Sequence, residues 1–350
     1  MSLAALGRRP ATGTRRGVSR PQAARKRSGP PLPLRLLAFG LLIFLAARLA
    51  TMAWESVQEQ RARLFQEQEA ESPFPMLPVL KGGQDGWADA SLAGALVKAV
   101  APSAGSISFY VKSLNTGASA DMDADRVVPS ASLFKVPILV EVLRQQSLGL
   151  FDMDTQVLLQ QRHWAEGSGV LQAQIGKKFS VRELLNYMIG VSDNVAALAL
   201  LDLVGTDSVN LTLQANGLEA TRLRIGNPAR DWGGQPGENT TTAREMGILL
   251  EKIATGKILD EKASEEAVRL LSQPQQASWL PALLPKGVQV AHKSGELPGV
   301  RHDAGVVYTP RGQFVVVVLN SGLSDYDAAA QSIARVARAA YDYFETGRGR

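Results

Sequence analysis

Residues 129–143 read Pro-Ser-Ala-Ser-Leu-Phe-Lys-Val-Pro-Ile-Leu-Val-Glu-Val-Leu. Leu133, Val136, Leu139, Val140 and Leu143 recur at the three- and four-residue spacing of one helix face. Pro129-Ser130-Ala131 stands ahead of that stripe, so Ser132 falls at a helix N-terminus. Free N–H groups and the positive dipole end favour negative charge there. Lys135 lies one turn on, on the same face, within reach of the Ser132 hydroxyl. A serine nucleophile can be served by a lysine in place of a histidine, provided burial or a second cation keeps that lysine neutral. In isolation the pair is weak: a Ser and a Lys three apart recur about once in a chain of this length. An N-capping serine beside a surface lysine is the plainer alternative.

Two further motifs change the balance. Ser192-Asp193-Asn194 stands between a helical stretch, Val181 to Ile189, and a second apolar helix carrying Val195, Leu198, Leu200, Leu201 and Leu203. A second serine hydroxyl beside the first would pass a proton to a leaving nitrogen, and Asn194 would hold Lys135 or a substrate amide. Asp193 reads as a helix cap. Lys293-Ser294-Gly295 ends a strand on which Gln289, Ala291 and Lys293 share a face. There Lys293 and Ser294 would bind a substrate carboxylate, and Gly295 would let substrate approach the backbone. The N–H of Glu296 would be the second oxyanion donor after that of Ser132. Lys293 is also the candidate second cation for Lys135. The three motifs together, in this order, describe acyl transfer through a serine ester.

Around them the chain predicts helix at about Ser91–Val100, strand at Ser106–Val111, a turn at Asn115-Thr116-Gly117 and a second short strand. Residues 132 to 275 read mainly as helices. Strands return at Val288–Lys293, Ala304–Tyr308 and Phe314–Leu319, before a last helix from Tyr326 to Phe344. Strands at both ends with helices between predict an α+β fold: an antiparallel sheet flanked by helices, an all-α subdomain inserted, and the motifs where the two meet.

An apolar fraction of 45% with 20% charged residues fits a globular domain with a sizeable core. The net charge of +5 suggests nucleic-acid binding only until its distribution is seen. Residues 1–35 hold nine Arg or Lys and no acid, which leaves the rest of the chain at −4. No nucleic-acid partner is expected. Residues 1–34 read as a disordered basic tail and 35–54 as a transmembrane signal-anchor interrupted by Arg48. A cleaved signal, with Thr51-Met52-Ala53 as a poor cleavage site, is the alternative. The basic flank places the N-terminus in the cytoplasm and the remainder outside, periplasmic or on the outer face. Residues 55–87 read as stalk and linker, and 88–345 as the catalytic domain. The absence of cysteine leaves neither a disulfide nor a lipid-modified thiol. The oligomeric state is not readable.

The set S-x-x-K, S-D-N and K-T-G belongs to class A β-lactamases and penicillin-binding proteins. Residues 88–345 resemble that serine β-lactamase-like family, with Ser294 in place of the threonine. The resemblance extends to Gly167-Ser168-Gly169-Val170-Leu171 and to Asn239-Thr240-Thr241-Thr242. It implies a mixed α/β domain, an all-α domain and a cleft between them. It also implies that Ser132 is acylated by a β-lactam or by a peptide ending in a D-amino acid. No glycine-rich phosphate loop follows a strand, and the residues predict no cofactor and no metal.

One departure stands out. Class A β-lactamases carry an Ω-type loop glutamate that activates the hydrolytic water. Here Thr221-Arg222-Leu223 matches the loop's start, but Asn227 stands nearest the matching place, and Asn accepts no proton from water. Asp231 or Glu238 would have to substitute; Glu166 sits on a different loop. The open alternatives are a β-lactamase, a D-alanyl-D-alanine peptidase with slow deacylation, and a non-catalytic penicillin- or wall-binding sensor. His163, His292 and His302 form neither a catalytic triad nor a metal cluster. Arg301 is a candidate carboxylate ligand, and Trp164 a candidate cleft wall or core residue.

Overall fold

The computed structural model describes residues 87–100, 105–224, 239–275 and 279–346, together with Arg48. The expected tail, membrane segment and stalk therefore lie outside the described residues, Arg48 and Trp87 apart. So do Asn227, Asp231 and Glu238. Among the described residues no single helix is long and apolar enough to cross a membrane.

The run Phe314-Val315-Val316-Val317-Val318-Leu319 lacks polar alternation, so a strand made from it must be covered on both faces. It forms β10 (Gly312–Ser321), inside a six-stranded sheet of order β1-β3-β2-β10-β9-β8. The other members are β1 (Trp87–Ala88), β2 (Ser106–Ser113), β3 (Ala118–Met122), β8 (Gln289–Leu297) and β9 (Val300–Thr309). Val316 of β10 faces Val111 of β2 on one side and Gly305 of β9 on the other. The pairing is antiparallel except at the two-residue β1, which runs parallel to β3. Short pairs β4 (Val128–Pro129) with β7 (Thr240–Thr241), and β5 (Gln156–Leu158) with β6 (Lys178–Ser180), lie outside this sheet.

Alternation sorts the sheet's side chains into two cores. Phe109, Val111, Val307, Phe314, Val316 and Val318 pack with Leu92 and Leu96 of α1 (Ala90–Ala99) and with Ile333, Val336 and Ala340 of the terminal helix, α8 (Tyr326–Glu345). Asp89 caps α1 by accepting from the N–H groups of Ser91 and Leu92, and Tyr343 Oη donates to its other oxygen at 2.7 Å. Tyr110, Ala304, Val306, Val315, Val317 and Leu319 face the helical body instead. That body holds α2 (Lys135–Ser147), α3 (Val181–Gly190), α4 (Asn194–Val204), α5 (Thr206–Ala215), α6 (Ala243–Ala254) and α7 (Glu261–Leu271). The fold is α+β, with an antiparallel sheet flanked by helices and an all-α subdomain.

The sequence assigns α2 one apolar face, yet every residue from Lys135 to Leu143 is buried. Neighbours surround α2, so Ile138 and Val142 are as enclosed as Leu139. Glu141, wholly buried in this helix, receives hydrogen bonds from Arg144, Gln145 and Thr212. Across the sheet–helix boundary, Lys112 of β2 places Nζ 2.9 Å from both carboxylate oxygens of Glu251 on α6.

Candidate active site

Ser132 lies in a 3₁₀ turn, Ala131–Phe134, that runs directly into α2. This differs from the expected first turn of an α-helix, but the spacing to Lys135 survives: Lys135 Nζ is 3.1 Å from Ser132 Oγ. Ala131 ahead of it has φ +45°, a left-handed conformation costing about 1–2 kcal/mol for a non-glycine residue. Three neighbours fix this turn. Ser130 N–H donates to Asn239 C=O at 2.8 Å, β4 pairs with β7, and His302 Nε2 meets Pro129 C=O at 2.9 Å. Asn320 N–H donates to His302 Nδ1, so only the neutral tautomer with its proton on Nε2 satisfies both contacts. Burial pushes this imidazole down to about 4.

The second motif enters from between α3 and α4. Ser192 holds φ +56°, again left-handed, and its Oγ lies 2.9 Å from Ser132 Oγ and 2.9 Å from Lys135 Nζ. Lys135 Nζ also donates to Ser192 C=O at 2.5 Å and to Asn194 Oδ1 at 2.8 Å. Asn194 Nδ2 donates to Glu166 C=O, so Asn194 holds the lysine and the Gly167 loop. Asp193 caps α4 through Ala196 N–H, as read, and its other oxygen takes the N–H groups of Val170 and Leu171. Gly169, at φ +115°, is required here: a Cβ would lie 2.2 Å from Asp193 Oδ2.

The third motif approaches along β8, which is the sheet's edge strand among the described residues. Gly295 was expected to admit substrate. It admits the Ser132 turn, because a Cβ there would lie 3.0 Å from Ala131 Cβ and 3.1 Å from Ser132 N. Ser294 N–H points off the free edge towards Gln275 Oε1, at 3.4 Å. Strand alternation then aims Glu296 N–H off the same edge. Lys293, 1% exposed, donates to Ser294 C=O at 3.0 Å.

Electrostatics complete the cluster. Burial, reinforced by the positive charge of Lys293, holds Lys135 well below the ordinary lysine range. Burial brings Lys293 down to about 8, opposed by Asp303. A buried lysine depleted of its proton beside two serine hydroxyls suits proton transfer. A second, charged lysine beside it suits a carboxylate.

Arg301 is not brought to this cluster. It stacks on the Trp279 ring at 4.7 Å, donates to Tyr326 C=O and bridges to the Glu296 carboxylate at 2.8 Å, on the side where Trp279 packs with the terminal helix. Its neighbour in the register is Glu296, and this pairing commits the guanidinium. Trp164 is 42% exposed, which places it outside the core. His292 is buried against Asp303 at 2.8 Å, and His163 against Asp202. No group of His, Cys, Asp and Glu able to hold a metal occurs among the described residues. Two participants, Gln275 and His302, carry no motif; only the tertiary structure brings them here. Arg222 and Thr240 bridge, bringing together the ends of the stretch that contains Asn227.

Residues 91–344 match the model of the Beta-lactamase enzyme family. The chain belongs to this family. It is 28% identical over 238 residues to the extended-spectrum β-lactamase PER-1 of Pseudomonas aeruginosa, covering 61% of this chain and 75% of that one. The solved structure of PBP-A superposes with a TM-score of 0.70 at 29% identity, covering 76% of this chain and all of PBP-A. A leucine-to-glutamate variant of PBP-A, solved as an acyl-enzyme complex with penicillin G, superposes at 0.69 with 29% identity over 75% of this chain and 99% of that one. Proteins similar to this chain thus include a β-lactamase and one whose variant was solved as an acyl-enzyme with penicillin G.

Proposed function

We propose that this protein is a serine hydrolase that forms an acyl-enzyme on Ser132 and hydrolyses the amide bond of β-lactams. The observation that carries the reading is the closed triangle of Ser132 Oγ, Lys135 Nζ and Ser192 Oγ, with sides of 2.9–3.1 Å. Neutral Lys135 takes the Ser132 hydroxyl proton as Oγ attacks the carbonyl carbon. The oxyanion lies between the N–H groups of Ser132 and Glu296. The carbon–nitrogen bond then breaks, and Ser192 hands its proton to the nitrogen while regaining one from Lys135. Lys293 and Ser294 hold the substrate carboxylate. Water then cleaves the ester.

A second reading, a D-alanyl-D-alanine peptidase with slow deacylation, is favoured by the missing Ω-type loop glutamate, with Asn227 nearest its place, and by the likeness to PBP-A. Intact mass after mixing with benzylpenicillin separates the two. A transient adduct with released product supports the β-lactamase, and a persistent adduct supports the peptidase. An adduct that survives Ser132→Ala would sink both.

The domain is proposed to stand outside the membrane on an N-terminal anchor, a reading supported by the basic flank before residues 35–54. Protease digestion of intact cells or spheroplasts should remove the domain. Protection would refute the orientation.

A further inference from the structure

In this reading the reacting carbonyl sits between Ser132 and Glu296, and the carboxylate sits at Lys293 and Ser294. Substrate therefore runs along the free edge of β8 from Glu296 back towards Lys293. Beyond Ser294 C=O, which Lys293 holds at 3.0 Å, the next backbone groups on that edge are Ser294 N–H and His292 C=O, and one side chain takes both. Gln275 Nε2 donates to His292 C=O, while Gln275 Oε1 faces Ser294 N–H at 3.4 Å and Lys293 Nζ at 3.5 Å. In a parallel sheet, one residue's N–H meets the carbonyl of one partner residue and its C=O takes the N–H two residues further on. The Gln275 amide reproduces that pattern, standing where one residue of an added strand would present its N–H and C=O.

We propose that Gln275 is the end-stop of the substrate groove, a specificity-determining residue that closes the β8 edge beyond Lys293. A chain continuing past the carboxylate position would have to displace this amide from both His292 C=O and Ser294 N–H. It would also leave the buried Lys293 charge without the substrate carboxylate. Substrates are thus limited to those ending in a free carboxylate at Lys293 and Ser294: β-lactams, or peptides cleaved at their last bond, and not peptides cleaved internally. This deepens the acyl-enzyme reading and rests on it.

The test compares two depsipeptides by their rate of Ser132 acylation in the intact protein. One ends in a D-lactate carboxylate; in the other that carboxylate is extended by glycinamide. Wild type should prefer the first by at least ~100-fold. The carboxylate contact to Lys293 that the extended substrate lacks is lost alike in wild type and variant, so a change in the ratio isolates Gln275. Gln275→Ala should narrow the ratio at least ~tenfold through faster reaction of the extended substrate. Gln275→Ser, smaller but polar, should move it the same way. An unchanged ratio in either folded variant, or equal rates in wild type, overturns the inference while penicillin labelling leaves the acyl-enzyme reading standing. No Ser132 adduct from penicillin or from either depsipeptide would instead sink the acyl-enzyme reading, and the end-stop with it.

Discussion

Lys135 and Lys293 are chemically identical and buried alike, yet the proposed mechanism needs opposite charge states from them. Lys135 must be neutral to act, so its contribution to kcat/KM rises with pH. Lys293 must be charged to hold a carboxylate; its pKa of about 8 makes kcat/KM fall as pH climbs through that value. Lys293→Gln should remove the falling limb and lower kcat/KM about 100-fold for carboxylate substrates. It should also move the rising limb to higher pH, because the positive charge helping to keep Lys135 neutral has gone. A pH profile of penicillin acylation reads both effects, and an intact falling limb in the variant would refute the assignment. At this scale the sequence was legible wherever chemistry depended on spacing within one helix, as for Ser132 and Lys135. It was misleading for Arg301, because proximity to a motif along the chain does not say which side of a sheet a side chain takes.

Between elements, the decisive contact is that of β8 with the turn before α2. Gly295 sets their separation, since a methyl group at that position meets Ala131 Cβ and Ser132 N at 3.0 and 3.1 Å. Gly295→Ala should push strand and turn apart by a few tenths of an ångström and misplace the two oxyanion donors. Stopped-flow acylation should slow at least ~tenfold, with the cooperative unfolding transition kept. Acylation at the wild-type rate would show that the spacing carries no catalytic weight. The motif made this glycine visible, but assigned it to the substrate. Its partner is a turn some 160 residues earlier, and no local pattern reveals that approach. Helix α2 shows the same limit: periodicity marks a face, whereas the number of faces buried depends on how many neighbours surround it.

Over the whole molecule, the sheet and the helical body share one buried boundary, and the Lys112–Glu251 pair crosses it with side chains about 10% exposed. Breaking such a pair from one side leaves an uncompensated charge. Lys112→Ala should therefore cost about 3–5 kcal/mol, read as a lower urea midpoint. The double change Lys112→Met with Glu251→Leu should restore most of that loss, since a well-packed apolar pair removes both desolvation penalties. Failure of the double change to recover stability would mean that the pair supplies more than mutual neutralisation.

The sequence by itself determined the order of the long strands and helices at the two ends of the domain, the α+β class and the three motif clusters, because each depends on periodicity or on spacing within a single segment. It also determined that the basicity resides in the first 35 residues. Only the tertiary structure decided which polar groups meet. It joined Lys135 to Ser192 across 57 residues, set His302 against Pro129 across 173, and laid Gln275 along the edge of β8. The reason is physical: hydrogen bonding and desolvation act over a few ångströms of space, and chain order constrains that distance only within an element.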